Sequence, residues 1–302
     1  ASVRVERTGA VTVRTGASPH GQGLGTTLRT VVHEVLGVAA DDVEVVTGDT
    51  AAAPFGMGSA GSRSMAVAGS AVRMAADEVR RQATELAAHL LEAAAEDLEW
   101  EGGEVAVRGV PSRRLALAEL GRRAALADRP PGMEPGLEAR AVFEPEGFNY
   151  PYGTHACVVE VDPETGAVRV LDYVAVDDCG RAVSPTIVEG QIHGSTAQGV
   201  AQALLEEAAY DSGAQPLATS FLTYCLPSAA ELPSFRVART EVPTDRNPLG
   251  AKGIGEAGTI GAPPTVVNAV LDALTPLGVV HLDMPVSPER IWRAVAGAGD
   301  GV

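Results

Sequence analysis

The chain predicts an α+β fold of duplicated two-layer subdomains, each built from a β-hairpin with helices packed on it. Three observations carry this expectation. Apolar and polar residues alternate around a Thr-Gly turn in "SVRVERTGAVTVRTG", as in a half-buried hairpin. Helical spacing of apolar residues follows in "GTTLRTVVHEVLG". The same succession then returns past the middle of the chain: "TGAVTV" at Thr8 recurs as "TGAVRV" at Thr165, and "GQGLGTTLRTVVHEVL" from Gly21 aligns with "GQIHGSTAQGVAQALL" from Gly190. Each half reads as a hairpin followed by a Gly-Gln turn at a helix N-terminus, the mark of an ancient duplication. The bland alternative is chance likeness between two alanine- and glycine-rich segments. Hairpins mixed with helices argue for α+β layers over a regular βαβ array.

The elements follow in order. The first helix stops at Gly37, because glycine readily takes the left-handed conformation that closes a helix. A short strand "DVEVVTG" leads to the glycine-rich "PFGMGSAGSRS", and a long alanine-rich helix runs from Ser64 to Ala94 with arginine and glutamate on one side. A hairpin around Gly102-Gly103 and a small helix near Leu115 to Leu126 complete the first half. "DRPPGMEPGLEA" reads as a proline-rich linker, which sets the expected boundary between subdomain 1–130 and subdomain 131–302. The second half opens on the hairpin "HACVVEVDPETGAVRVLDYVAVDDCG", turning at Pro-Glu-Thr-Gly. A helix in "VEGQIHGSTAQGVAQALLEEA" follows with a glycine-rich lead-in, then irregular segments and a strand near Phe235 to Val242. A helix after Pro263-Pro264 and a last one from near Ser287 end the chain.

Composition narrows the function. The 302 residues are 45% hydrophobic and 21% charged, ordinary for a globular protein with ample core. A net charge of -16 argues against nucleic acid or an anionic membrane as the main partner, since both need a basic footprint. No apolar run is long enough to span a bilayer and no signal segment opens the chain, so a cytoplasmic location is expected. Ala1 fits either a removed initiator methionine or a longer chain. Cys157, Cys179 and Cys225 form no CxxC pair and leave one over, which argues against a disulfide framework. The histidines show neither HxH nor HExxH spacing, so no protein-ligated metal is expected.

Three glycine loops carry the chemistry. "GMGSAG" and "GIGEAG" both match GxGxxG, and "GQGLG" nearly does. A dinucleotide-binding Rossmann unit needs a buried strand before such a loop, and Arg246, Asn247 and Pro248 stand there instead. The physics outlives the fold: glycines let backbone approach a ligand, and helix N-termini offer free N–H groups to anions. One extended, phosphate-bearing ligand touched at several points is therefore expected. "GSRS", with Ser62, Arg63 and Ser64, suits a phosphate. Gln22 and Gln191 can donate and accept, as oxo groups or heterocycle edges require, although Gln191 reads equally well as an ordinary helix-start residue.

Glu256 and Lys252 are the sharpest signals. Lys252 is the only lysine in the chain, and a point charge on a flexible stem suits ligand oxygens. Glu256 stands between Gly255 and Ala257 with little neighbouring bulk, so its carboxylate can reach into a cleft. A dry, apolar cleft would raise its pKa and make it a usable base; an exposed loop carboxylate is the plainer alternative.

The motifs "SPHGQG", "PFGMGSAGSRS", "EPGLEA", "AVDDCGRAVSPTIVEGQIHG" and "GAKGIGEAGTIGAPP" occur in this order over nearly the whole chain. Together they resemble the molybdenum hydroxylases, the xanthine dehydrogenase and aldehyde oxidase family, and look most like the C-terminal part of the large subunit of aerobic carbon monoxide dehydrogenases. The resemblance implies α+β subdomains forming the second molybdenum-cofactor-binding region, with molybdopterin cytosine dinucleotide as cofactor. Carried over by motif, Gln22 and Gly23 would contact the cofactor near the metal, and Ser62, Arg63 and Ser64 would hold its dinucleotide or phosphates. Cys179, Gly180, Gln191 and the Lys252, Gly253, Ile254 and Gly255 stretch would line the pterin. Glu256 matches the catalytic glutamate, which takes a proton as oxygen from water is inserted into substrate.

The resemblance also implies partners: the N-terminal half of the large subunit, and subunits carrying iron–sulfur clusters and FAD, in a dimer of heterotrimers. The chain alone would be inactive, whether an excised fragment or a separately encoded piece. Leu24 and Gly25 replace the polar pair that relatives often carry after "GQG". The substrate is carbon monoxide, or alternatively an aldehyde or N-heterocycle. A non-catalytic module that stores or hands over the cofactor is a further alternative.

Overall fold

The computed structural model describes residues 1–53, 55–126 and 128–299; Pro54, the first residue of the "PFGMGSAGSRS" motif, lies outside the described residues. The opening alternation forms an antiparallel hairpin of β1 (Ser2–Val5) and β2 (Val11–Arg14), burying Val3, Val5, Val11 and Val13. Helix α1 (Leu24–Leu36) ends where expected, at Gly37 with φ 70, whose N–H donates to the His33 carbonyl. It leads to β3 (Val43–Val46), which lies parallel to β2. A π-helical turn, Met65–Gly69, opens into α2 (Ser70–Leu91), so the long alanine-rich helix stops three residues before Ala94. Alanines Ala75, Ala76, Ala83 and Ala87 pack its buried face closely on the sheet side.

A second sheet of β4 (Leu98–Glu101), β5 (Glu104–Val107) and β6 (Val110–Ala116) turns at Gly102-Gly103 as expected. Strand β6 is an addition to the sequence reading. Its polar, mostly exposed residues show no alternation to read, and they shorten the expected helix to α3 (Leu117–Ala124).

The expected linker is corrected. Its end forms β7 (Leu137–Arg140), antiparallel to β1, with Leu137 and Ala139 buried. The first sheet thus has the order β3-β2-β1-β7. Four alternating residues behind a run of prolines are too few to outweigh the turn signal.

The second half supplies β8 (Tyr152–Val161), β9 (Val168–Asp178), α4 (Pro185–Leu204), β10 (Phe235–Thr240), α5 (Ala257–Leu274) and α6 (Pro288–Gly299). Its sheet has the order β10-β9-β8, with the hairpin antiparallel and β10 parallel to β9. Two expectations change here. Helix α4 starts at Pro185, so Gly190 and Gln191 lie in its second turn and form no turn at a helix N-terminus; proline suits a first helical position because its missing N–H would have no partner there. Helix α5 starts at Ala257 and contains Pro263 and Pro264, where a start after them was expected.

Packing divides the chain into two units, Ala1–Tyr150 with Gly180–Ile187 and Pro243–Gly253, and Pro151–Cys179 with Val188–Val242 and Ile254–Val302. This division does not follow the expected 130/131 boundary, because the chain returns twice to the first unit. Among the described residues, no helix is long and apolar enough to cross a membrane.

Candidate functional site

In the first unit, the loop carrying Lys252 is locked from within. Asn247 is buried; its amide donates to the Ala251 carbonyl at 2.8 Å, and its side-chain oxygen accepts from the backbone N–H of Leu249 and Ala251 at 3.1 and 3.2 Å. Leu249 is buried in the core and Gly250 takes φ 66. The Gly250 carbonyl accepts from Arg181 N–H at 2.9 Å, and Gly180 bridges Ala251. A Cβ on Gly180 would lie 2.3 Å from the Gly250 carbonyl oxygen and 3.2 Å from Cγ of Lys252, so only glycine lets the strands of chain meet here. Lys252 and Gly253 are half-buried. Gly253 packs on the backbone of Ser62, which has φ 51. Ser62, Gly180, Lys252 and Gly253, four residues from three separate motifs, thus come together in one unit.

The "GMGSAGSRS" loop is built from its own hydroxyls. Ser64 Oγ donates to Ser59 Oγ at 2.7 Å, and Ser59 Oγ accepts from Ser18 N–H at 3.2 Å. Ser64 therefore serves the loop itself. Arg63 is half-buried, and among the described residues its guanidinium makes no hydrogen bond or ion pair. Gln22 also turns inward: its amide donates to the Ser18 carbonyl at 3.2 Å and its oxygen accepts from His20 N–H at 2.6 Å. Gly23, with φ 74, caps α1 beside Ile187.

Does this arrangement suit a phosphate-bearing cofactor? At Gly21, Gly25 and Gly61 the space a Cβ would take is open, so a ligand can reach the backbone there. Open backbone, a guanidinium without a partner and an ammonium on a locked loop form a donor set for phosphate and pterin oxygens. The residues fit.

The second unit holds Cys179, Gln191, Ile254, Gly255 and Glu256. Cys179 is buried, and burial, followed by the charges of Glu241 and Asp178, pushes its thiol up to about 11. It stands as a thiol at neutral pH. Gln191 is half-buried on α4 and its carbonyl accepts from Ser195 Oγ. Ile254 and Gly255 are half-buried, while Glu256 is exposed at the start of α5, where its carbonyl accepts from Ile260 N–H at 3.1 Å. The dry cleft that would enclose this carboxylate is not formed around it in this chain. Among the described residues, no three His, Cys, Asp or Glu side chains are placed to hold a metal ion.

Sequence reasoning missed Asn247 and Ser59, which shape the two loops. The Asn-Pro pair at 247 is a turn signature and could have flagged the first; Ser59 gives no signal without the fold.

Residues 1–233 match the family described as molybdopterin cofactor-binding domain. The chain is 39% identical over 293 residues to the carbon monoxide dehydrogenase large chain of Hydrogenophaga pseudoflava, covering 97% of this chain and 36% of that one. Its fold is similar to reconstituted CO dehydrogenase from Oligotropha carboxidovorans, with a TM-score of 0.93 at 37% identity over 100% of this chain and 37% of that chain. It is also similar to quinoline 2-oxidoreductase from Pseudomonas putida 86, with a TM-score of 0.90 at 43% identity over 98% and 38% of the two chains. The chain spans little more than a third of the length of these relatives.

Proposed function

The chain belongs to the molybdopterin cofactor-binding domain family, and from that membership we propose that it is the cofactor-holding portion of the large, catalytic subunit of a carbon monoxide dehydrogenase-like molybdenum hydroxylase. The cofactor, taken as molybdopterin cytosine dinucleotide, supplies when bound the metal centre and the two-electron acceptor for substrate oxidation. The chain's own residues hold it and move a proton. Arg63 and Ser62 take phosphate oxygens, together with the open backbone at Gly61. Gln22, Gly23, Gly180, Gln191 and the Lys252 to Gly255 stretch border the pterin. Ser64 and Cys179 contribute by shaping the walls.

Glu256 acts as the general base. Its carboxylate takes a proton from the water-derived oxygen that enters the substrate, and returns it to solvent afterwards. The observation that supports this reading is the position of Glu256: it is the residue just before α5, following the loop locked by Asn247, and it is exposed, so its carboxylate can face a reacting group. Closure by the rest of the large subunit would provide the dry surroundings that raise a carboxylate's affinity for a proton. Electrons leave through partner subunits with iron–sulfur clusters and FAD, in a cytoplasmic dimer of heterotrimers.

A second reading keeps the site and changes the substrate to an N-heterocycle, which the 43% identity to a quinoline oxidoreductase favours. The test is co-expression with the remainder of the large subunit in a host that makes the cofactor, followed by molybdenum and nucleotide analysis and turnover on carbon monoxide, an aldehyde and quinoline. Near-stoichiometric molybdenum with cytidine nucleotide is expected. Glu256→Gln is expected to keep the metal and lose about 10²- to 10⁴-fold in turnover. Full turnover in that variant would remove Glu256 as base, and failure to load molybdenum in any pairing would sink the cofactor reading.

A further inference from the structure

Among the described residues, no hydrogen bond or ion pair holds the exposed side chain of Glu256, so its aim depends on the first turns of α5. Those turns are poorly held from within. Pro263 and Pro264 lack the N–H groups that would bond the carbonyls of Thr259 and Ile260. The packing of the second unit compensates on two sides. Along α4, a Cβ on Gly258 would lie 2.4 Å from Ser195 Oγ and 2.6 Å from Thr196 N, while Thr259 Oγ1 donates to the Ser195 carbonyl at 3.2 Å. Gly199 sits as tightly against Ala262 and Pro263.

The other side rests on a buried polar chain. The His155 ring lies under Gly261, where a Cβ would be 3.2 Å from ring atoms. Its side chain is 4% exposed and that of Asp177 is 2% exposed. Nε2 of His155 faces both oxygens of Asp177 at 3.3 Å, and Nδ1 is hydrogen-bonded to the Tyr173 hydroxyl at 2.8 Å. Tyr173 is fully buried, and within α5 itself Thr265 Oγ1 donates to the Gly261 carbonyl at 2.7 Å. A polar series therefore joins Asp177 and Tyr173 on β9 to His155 on β8, and the ring it holds packs directly against Gly261 of α5.

We propose that His155 is a positioning residue: held by Asp177 and Tyr173, its ring buttresses Gly261, whose carbonyl Thr265 ties from within the helix, and together these contacts fix the first turns of α5 and so aim Glu256. This rests on the reading of Glu256 as base, and the experiment separates the two. Hydrogen–deuterium exchange over residues 257–265 is measured on the cofactor-loaded assembly for wild type, His155→Ala and Thr265→Val. In both variants, exchange in this segment is expected to rise about tenfold or more, with α2 unchanged. Molybdenum content is expected to stay at the wild-type level, and kcat to fall more than KM rises. His155→Gln, whose amide can still donate to Asp177, is expected to restore part of the protection. His155→Ala combined with Glu256→Gln is expected to be no slower than Glu256→Gln alone, since residues acting through one group are not additive.

Unchanged exchange in Thr265→Val, or in a folded His155→Ala, would overturn the proposal. So would a double variant slower than Glu256→Gln by the full factor of His155→Ala. If Glu256→Gln kept full turnover while exchange still rose in His155→Ala, the base would be misassigned and the support of α5 would stand.

Discussion

The chain contains the same course twice, β1-β2-α1-β3-α2 and β8-β9-α4-β10-α5. Each has an antiparallel hairpin, then a helix, then a strand parallel to the second hairpin strand, then a glycine loop and a helix. The two loops align position by position, "GMGSAGS" from Gly56 and "GIGEAGT" from Gly253, with all three glycines and the alanine in register, so Ser59 stands where Glu256 stands. In the first copy the side chain is spent on structure, tying Ser18 to Ser64. In the second it is exposed and available for chemistry. Gly61 and Gly258 also correspond, for opposite reasons. Gly61 has open space but φ 61, whereas Gly258 is buried with no room for a Cβ. One backbone plan thus carries a side chain tied into its own loop in one copy and an exposed carboxylate in the other, and on the proposed function the second is the proton-transfer loop.

The largest expected effect breaks this correspondence at one position. Glu256→Gln lowers turnover by about 10²- to 10⁴-fold, whereas Ser59→Ala is read in stability, at about 1 kcal/mol for hydrogen bonds lost from the loop; steady-state kinetics and thermal melting separate the two. Next is Leu249→Ala, which empties a core position against Gly69 and costs about 2–5 kcal/mol. Denaturant unfolding should show that cost, with the Lys252 loop exchanging faster. Then come the paired glycines. Gly258→Ala costs about 1–3 kcal/mol by overpacking and Gly61→Ala about 1 kcal/mol by backbone strain; melting temperatures in the reverse order would refute the distinction between space and conformation.

The smallest effect concerns thiols, which occur only in the second copy. Burial pushes Cys157 and Cys179 up to about 11 from an ordinary 9.0. The folded state therefore holds these protons more tightly than the unfolded chain does. Their contribution to stability is whole below about pH 9 and falls as pH rises toward 11. Alkylation at pH 8 should label exposed Cys225 first, and equal labelling of Cys179 would show that its environment is open.

Much of the frame was legible because its signals are local. The Thr8-Gly9 turn, the stop at Gly37 and the Pro-Glu-Thr-Gly hairpin each depend on neighbours in the chain. Where the reading failed, a distant partner outweighed the local signal. The proline-rich stretch became β7 because β1 had an open edge to pair. Gln191 lies inside α4 because the helix takes Pro185 at its start. Helix α5 runs through Pro263-Pro264 because α4 and His155 hold its first turns from outside. The loop positions of Lys252 and Glu256 were legible from glycine spacing; the Asn247 lock that sets the Lys252 loop was not.

By itself, the sequence determined the duplicated α+β plan, the glycine loops and the motif order that places the chain in its family. These rest on short-range periodicity, turn chemistry and spacing, which letters record directly. Only the tertiary structure decided that Ser62, Gly180 and Gly253 meet, that Ser59 and Ser64 face inward, and that His155, Tyr173 and Asp177 form one buried series beneath α5. Close packing selects such partners by volume and by the cost of leaving buried polar groups unpaired, and neither is written in any single stretch of chain.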